Sequence, residues 1–557
     1  MATQELGREQ AGRPALVEPA GLFLAALLFA AALTPSLAPR DPMLQGLLGG
    51  VLAGLGYILG SLAVRLWRFV QGPVPGPAGR RGLRIAGTVA AVGVVVFGLS
   101  RAAAWQNDTR RAFDLPPVET SHPVTVAAVA LAVFAAIWGA LWLFGFARRR
   151  FSAAAQRILP RRLGQALGFG LALWVVWALA NGVLLRRIFE AADRSFEAAD
   201  VFIAPDIAAP TGPGRTGGPG SLVRWEEMGR WGRSFVATAP TAAEIAAFAG
   251  PGAMDPIRVY VGRRAADTPE ARARIALDEL IRQGGFQRKA LVVMVPVGTG
   301  WMDPAGQDTL DYILGGDVAT VAVQYSYLTS ALALAAHPEY GVDQARALFN
   351  LVYEYWTRLP KDARPELYVH GLSQGAFNSQ ATLPVIDLLA DPIDGAMWTG
   401  SPFFSPYWRL VRENRNPGSP AWRPEAGNGS LVRTMTQFGG LDGDFAPWGP
   451  MRMVFLNYGS DAIVVFNPAS AWQRPDWMAK PRAPDVAPEL RWFPLVTTVQ
   501  LGLDMAISLH VPGFGHAYVA RDYIDAWAAT LDPEGWSPER AAALKAIFAA
   551  RGAQEGE

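Results

Sequence analysis

Five stretches of this chain carry no charge over roughly the length a bilayer demands of a helix, about 17–25 residues. They are residues 19–39, 42–64, 85–100, 123–147 and 163–185, all within the first 187 residues. The third is short unless Arg101 at its end reaches outward, as long cationic side chains near helix ends do. Alanine, leucine, valine and glycine dominate the stretches. Trp67, Trp105, Trp138, Trp142, Trp174 and Trp177 suit the role of interfacial anchors. Five such runs, almost free of internal charge, favour an α-helical membrane domain of about five spans over residues 1–187 rather than buried helices of a soluble bundle. No charged residue lies in the middle of a span, and Asn181 is an isolated polar group in the fifth. An intramembrane ionisable group would be the usual mark of a conduction path, so these spans read as an anchor.

Charge is distributed as unevenly as hydropathy. Residues 1–187 hold 19 arginines, no lysine and 7 acidic residues, a surplus of 12 positive charges. The whole chain is only +2, so the remaining residues carry a net charge of −10. Arginines fix the expected orientation, because cytoplasmic loops retain them. The loop between the second and third spans holds Arg65, Arg68, Arg80, Arg81 and Arg84, and that between the fourth and fifth holds Arg148, Arg149, Arg150, Arg157, Arg161 and Arg162. The alternate loops hold Arg40 and then Arg101, Arg110 and Arg111, while Arg186 and Arg187 run mildly against the trend. This pattern places the N-terminus inside and the acidic remainder on the extracytoplasmic side. The net positive surplus lies in the membrane loops and the remainder is acidic, which argues against nucleic-acid binding. The chain has no cysteine, which excludes disulfides, a thiol nucleophile and cysteine metal sites.

Beyond the apolar region a helix is expected over 188–201 and a Pro/Gly-rich linker over 204–221, so 188–256 reads as a linking segment. From residue 257 the pattern alternates. Strands are expected at 257–262, 290–296, 318–324, 367–370, 395–398 and 451–458, and helices at 268–283, 343–356, 374–389 and 517–530. The run Ala290-Leu-Val-Val-Met-Val-Pro296 is apolar throughout, as a parallel strand buried on both faces should be. Strands separated by helices imply a mostly parallel sheet covered on both sides, an α/β domain over 257–557.

Within it, Leu367-Tyr-Val-His-Gly-Leu-Ser373-Gln-Gly375 sets a serine between two glycines at a strand-to-helix turn. That is the context of a nucleophile elbow, in which the sharp turn lifts a serine hydroxyl above the sheet. A serine needs a base, and on the α/β-hydrolase fold the order is serine, acid, histidine. The five histidines are His122, His337, His370, His510 and His516, and two of them follow Ser373. His516 lies in a glycine-flexed loop before a helix and His510 ends an apolar run; His516 is the better base, with His510 its competitor. Asp461 follows a late strand and is the first choice of acid, against Asp394, Asp442 and Asp444, whose positions suit turns. The oxyanion donors expected are the backbone N–H of Gln374 and those of Gly298 and Thr299 in the loop Val297-Gly-Thr-Gly-Trp301.

With these residues in view, the chain resembles a family of bacterial membrane proteins that join a five-span N-terminal region to an α/β-hydrolase domain. The resemblance is carried by Gly217-Gly-Pro-Gly-Ser-Leu-Val-Arg-Trp225, Gly232-Arg-Ser-Phe-Val236, Ile257-Arg-Val-Tyr-Val-Gly262, Gly298-Thr-Gly-Trp-Met-Asp303, Gln324-Tyr-Ser-Tyr-Leu328 and the elbow. It implies a serine hydrolase with Ser373, Asp461 and His516 as its triad, seated in a bacterial inner membrane. Gln374 stands where relatives carry leucine, a change that leaves the backbone donor intact.

The expected activity is that of an extracytoplasmic, membrane-anchored esterase or lipase-like serine hydrolase, acting on a lipid or envelope ester through an acyl-enzyme. Such chemistry requires no metal and no organic cofactor. Two alternatives stand beside it: an acyltransferase using the same triad on an envelope lipid or sugar, and a non-enzymatic envelope scaffold on the hydrolase fold. Residues 401–450 form a long insertion, far above the usual connection of roughly 2–6 residues. It is rich in aromatics and reads either as a lid or as a packed subdomain. Trp301, Phe403, Phe404 and Trp408 are the substrate-binding residues expected.

Overall fold

The computed structural model describes residues 19–178, 195–197, 199–202, 207–330 and 338–555. His337, Asn181, Arg186, Arg187, the end of the fifth apolar stretch and most of the helix expected at 188–201 lie outside the described residues. The chain divides into two compact units. One joins Met1–Ala180 to Asn467–Met478 and Val486–Ile507; the other joins Asn181–Phe466 to Ala479–Asp485 and Ser508–Glu557.

The first unit is helical. Helices α1 (Pro19–Ala32), α2 (Pro42–Phe69), α3 (Pro77–Ala112), α4 (Pro123–Ala155) and α5 (Arg161–Ala178) occupy the five apolar stretches. Pro42, Pro77 and Pro123 start their helices where a missing N–H costs nothing, and the Asp41 carboxylate caps α2 by accepting from the Met43 and Leu44 N–H groups. Among the described residues three helices, α2, α3 and α4, are long and apolar enough to cross a membrane, at 28, 36 and 33 residues. Helix α1 covers only 14 residues, because the chain leaves helical geometry after Ala32 and runs irregularly to Asp41.

Glycines let these helices touch backbone to backbone. A Cβ on Gly56 or Gly60 of α2 would stand 2.6 Å from the Leu24 or Ala20 carbonyl oxygen of α1. On another face of α2, a Cβ on Gly46 or Gly50 would stand 2.6 Å from Val129 or Val133 of α4. Two small-xxx-small stripes thus serve two neighbours of one helix. Leu62, Val92, Val96, Leu131, Trp142 and Leu143 remain exposed on the outside.

This unit also takes in a segment that the sequence analysis did not assign. The helix Val496–Ile507 packs through Val496 on Ala32, Leu48 and Leu52. Its Asp504 pairs with Arg40 of the α1–α2 link at 2.7 Å, with side chains 0% and 2% exposed. The other carboxylate oxygen accepts from the Ser36 hydroxyl at 2.6 Å and the Leu37 N–H at 3.1 Å.

The second unit is built on a parallel seven-stranded sheet of order β1-β3-β2-β4-β5-β7-β6 among the described residues. The strands are β1 (Ile257–Val261), β2 (Ala290–Val295), β3 (Val318–Val323), β4 (Glu366–Leu372), β5 (Gly395–Thr399), β6 (Val432–Met435) and β7 (Arg452–Leu456). Strands β1, β2 and β3 are buried at every position, which is why β2 reads as an apolar run rather than an alternation and why Arg258 of β1 is paired with Asp308 and Asp311. Thr268 caps the helix Pro269–Arg282 by accepting from the Ala271 N–H.

Besides the helices Pro304–Ile313 and Pro538–Glu555, which were not expected, three departures from expectation shape this unit. The helix expected over 374–389 is two, Gln374–Thr382 and Val385–Ala390, since Pro384 can neither donate nor tolerate the carbonyl a turn earlier. The 401–450 insertion contributes β6, which pairs parallel to β7 at the sheet edge, and a helix, Pro406–Glu413. The segment leading to β1 carries the helices Gly229–Ala237 and Ala242–Ala249, and Gly232 sits so close to Tyr260 that a Cβ would meet its ring at 2.3 Å. This part of the expected linker is folded against β1.

Candidate active site

Three adjacent strands, β4, β5 and β7, end side by side, and the carboxyl ends of parallel strands are where such sheets bind ligands. Ser373 follows β4 directly. Its backbone is at φ 56° and ψ −123°, a strained left-handed turn for a residue with a Cβ. Two glycines make the turn possible. A Cβ on Gly371 would lie 2.4 Å from the Gly375 carbonyl carbon, and one on Gly375 would lie 2.1 Å from the Val295 carbonyl oxygen of β2. Gln374 opens the following helix, so its backbone N–H has no intrahelical acceptor.

The end of β5 links the serine to a histidine. The Ser373 N–H donates to the Thr399 carbonyl at 3.0 Å. The next residue, Gly400 (φ 55°), faces His516 so closely that a Cβ there would stand 2.5 Å from the imidazole Cε1. Beyond β7, Asp461 is wholly buried, and its Oδ2 lies 2.6 Å from His516 Nδ1. Oδ1 of the same carboxylate accepts the Ile463 N–H at 2.9 Å. On the far side of the ring, His516 Nε2 is buried with no hydrogen-bond partner among the described residues. The Ser373 turn and the Asp461–His516 pair therefore share one corner, at the carboxyl ends of β4, β5 and β7.

Further groups fix this corner. The Tyr518 hydroxyl donates to Asp461 Oδ2 at 2.8 Å; burial, and then the neighbouring carboxylate, push its phenol well above the ordinary value, so it remains a donor. Ser460 accepts the Gly515 N–H at 2.9 Å and donates to Asp485 at 2.7 Å, tying the acid loop to the histidine loop. The His516 N–H donates to the Ser508 carbonyl at 2.7 Å. Asp303, after β2, caps the helix Pro304–Ile313 and accepts from the Tyr523 hydroxyl at 2.8 Å; burial pushes its carboxyl up to about 6. His370 is a different kind of histidine. Its Nδ1 faces the Met397 carbonyl at 2.7 Å, and burial lowers it to about 4, so it is neutral packing near neutral pH.

A family described as "Alpha/beta-hydrolase family" matches residues 257–544, more than half of the chain, and "Alpha/beta-hydrolase family N-terminus" matches residues 33–240. The chain belongs to this alpha/beta-hydrolase family. No curated protein matches it. Among solved structures, a Trichoderma reesei cutinase in complex with a C11Y4 phosphonate inhibitor is 12% identical, covering 47% of this chain and 87% of the cutinase at a TM-score of 0.21.

The other residues expected at this candidate site fall into two groups. Near it, the Gly298 N–H donates to the Ser330 hydroxyl at 3.1 Å, and the Thr299 carbonyl accepts from the Gln324 amide at 3.0 Å. Trp301, Phe403 and Phe404 are half-buried. Trp408 differs: it is 1% exposed, lies against Phe455 at 5.3 Å between centroids, and its indole N–H donates to the Val464 carbonyl at 3.4 Å while its backbone N–H donates to Gln380 Oε1 at 3.1 Å. It belongs to the core under the site, because a large apolar ring on the inner face of a short helix gains most from burial. Of the groups that sequence reasoning missed, Gly400 and Tyr518 left a faint trace. A glycine closes β5, and Tyr518 stands two residues beyond His516. Ser460 and Asp485 left none, since they lie 25 residues apart with no local pattern to link them.

Proposed function

We propose that this protein is a membrane-anchored serine hydrolase that cleaves carboxylic esters, with Ser373 as nucleophile, His516 as base and Asp461 as its orienting acid. The observation that carries the reading is the Asp461–His516 hydrogen bond with Nε2 left without a partner among the described residues, on loops flanking a serine in the elbow conformation. Asp461 holds the imidazole with its proton on Nδ1, which leaves the Nε2 lone pair to take the Ser373 proton. Oγ attacks the ester carbonyl; the tetrahedral oxyanion is met by the Gln374 N–H and, from the loop after β2, by Thr299, since Gly298 is engaged by Ser330. Collapse expels the alcohol with the proton from Nε2 and leaves an acyl-enzyme. Water, deprotonated by the same nitrogen, then releases the carboxylic acid and restores the serine.

The anchor in this reading is the helical unit, with all five apolar stretches as spans and the acidic α/β unit extracytoplasmic. The support is the three long apolar helices and the alternation of arginine between loops. A lipid or envelope ester is the substrate such placement favours.

The test is fluorophosphonate labelling of membranes holding the full chain. Labelling of the wild type that disappears in Ser373→Ala supports the reading. Undiminished labelling and ester turnover in that variant would remove it.

A further inference from the structure

Four phenylalanines form a continuous row beside the site. Phe377 meets Phe404 at 4.9 Å between ring centroids, Phe404 meets Phe403 at 5.0 Å, and Phe403 meets Phe466 at 5.0 Å. All three contacts are edge-to-face, with planes at 69°, 90° and 61°, so each ring supports the next at a favoured geometry. The provenance of the rings is what gives the row meaning. Phe377 follows Ser373 by one helical turn. Phe403 and Phe404 follow Gly400, the residue pressed against His516. Phe466 closes the short helix that Asp461 caps.

The serine elbow, the loop after β5 and the acid loop therefore each also supply a ring, and the Phe403 N–H binds the Ile463 carbonyl at 2.9 Å, stitching two of those loops together. The rings are only half-buried, whereas Trp398 and Trp408, from the sheet and the insertion helix, are at 1% exposure or less. Had the row been simple core filling, the same rings could have been covered as those tryptophans are. No charged side chain belongs to it.

We infer that this row is the acyl-binding surface, and that it selects esters of long, unbranched, apolar acyl chains. The inference rests on the serine-hydrolase reading above and adds to it which half of the ester the enzyme recognises. An acyl carbonyl seated at Ser373 has its chain leaving toward rings that come from the same loops. A linear chain can lie along edge-to-face rings in extended form, while a branched or charged one cannot keep contact with successive rings. Each methylene fully removed from water raises kcat/KM by up to about fourfold.

The experiment measures kcat/KM of the full chain in detergent on butanoyl, octanoyl and dodecanoyl p-nitrophenyl esters, each below its micelle-forming concentration. The wild type is expected to gain with each lengthening. Phe404→Ala and Phe466→Ala are expected to cut the dodecanoyl-to-butanoyl ratio by about tenfold or more, and Phe404→Leu by less. Leu410→Ala, an exposed side chain on the insertion helix, serves as the control that keeps the wild-type ratio. A wild-type ratio near one overturns the inference, as does a steep ratio that survives in both phenylalanine-to-alanine variants; if Phe404→Ala fails to fold, Phe404→Leu and Phe466→Ala decide it. Fluorophosphonate labelling at Ser373 separates the two ideas. A labelled enzyme with no chain-length preference sinks the acyl row alone, and an enzyme unlabelled at Ser373 sinks the serine reading beneath it.

Discussion

Asp461 Oδ2 receives two donors at once, His516 Nδ1 at 2.6 Å and the Tyr518 hydroxyl at 2.8 Å. The histidine bond fixes the tautomer, and the tyrosine bond fixes the carboxylate that does so. Asp461→Asn keeps the shape but offers an N–H where an acceptor is needed. It should lower kcat by about 10⁴-fold, as the equivalent change does where a serine–histidine–aspartate triad operates in proteases. Tyr518→Phe removes one hydrogen bond to a charged group, worth about 1.5–3 kcal/mol, so a loss of roughly ten- to a hundredfold is expected. Steady-state kinetics on one short ester would check both; equal losses would show that the two residues do not have separate tasks.

Gly400→Ala tests the packing of the imidazole. The new methyl would stand 2.5 Å from His516 Cε1, in a backbone at φ 55° that costs a residue with a Cβ about 1–2 kcal/mol. We expect kcat to fall by a hundredfold or more while the thermal midpoint drops only a few degrees. A variant with full activity would mean that the ring has room to retreat.

Asp303 sets a pH dependence. Its carboxyl titrates near 6 in the folded chain and near the ordinary 3.8 when unfolded, because burial opposes its charge. Between those values the folded chain binds more protons, so the contribution to stability falls as pH rises through this window and is constant above it. Relative to Asp303→Asn, the wild type should lose thermal stability from about pH 4 to pH 6 and then run parallel to it. Melting curves that stay parallel throughout would show that the carboxyl is not buried in solution.

The Arg40–Asp504 pair makes a prediction for the helical unit. Asp504→Ala leaves a guanidinium buried at 2% exposure without its partner, a change that costs about 3–5 kcal/mol. Thermal unfolding of the full chain in detergent should show it, and the double change Arg40→Met with Asp504→Leu should recover most of the loss. No recovery would indicate that Ser36 and Leu37 depend on the carboxylate as much as Arg40 does.

Much of the fold was readable because its signals are local. Apolar runs too long for a soluble helix, and strands apolar on both faces, are visible within a window of a few residues. Ser373 could be singled out for the same reason, as strand, glycine turn and helix are consecutive. Asp461 and His516 emerged from chain order rather than local pattern. The structure brings them within a hydrogen bond, across 55 residues. What stayed hidden depends on long-range partners. Strand β6 is four residues, Val-Arg-Thr-Met, whose partly buried pattern carries no period. The helix Val496–Ile507 is apolar around most of its circumference, and only the α1–α2 link 464 residues away explains why Asp504 interrupts it. Trp408 shows the opposite hazard, since an aromatic in a long insertion resembles a binding group until its burial is known.

The helix Val496–Ile507 has a consequence for how such a chain can change over time. The match to the N-terminal family region ends at residue 240, yet the helical unit is completed by residues that lie within the C-terminal match. A recombination that exchanged the first half alone would bring in α1 and α2 with a foreign seat for that helix. Val496 would meet the wrong side chains, and Asp504 would be buried without Arg40, Ser36 and Leu37. The two halves are separable on paper and inseparable in inheritance, so substitutions at the seat and on the helix must be acquired together or not at all.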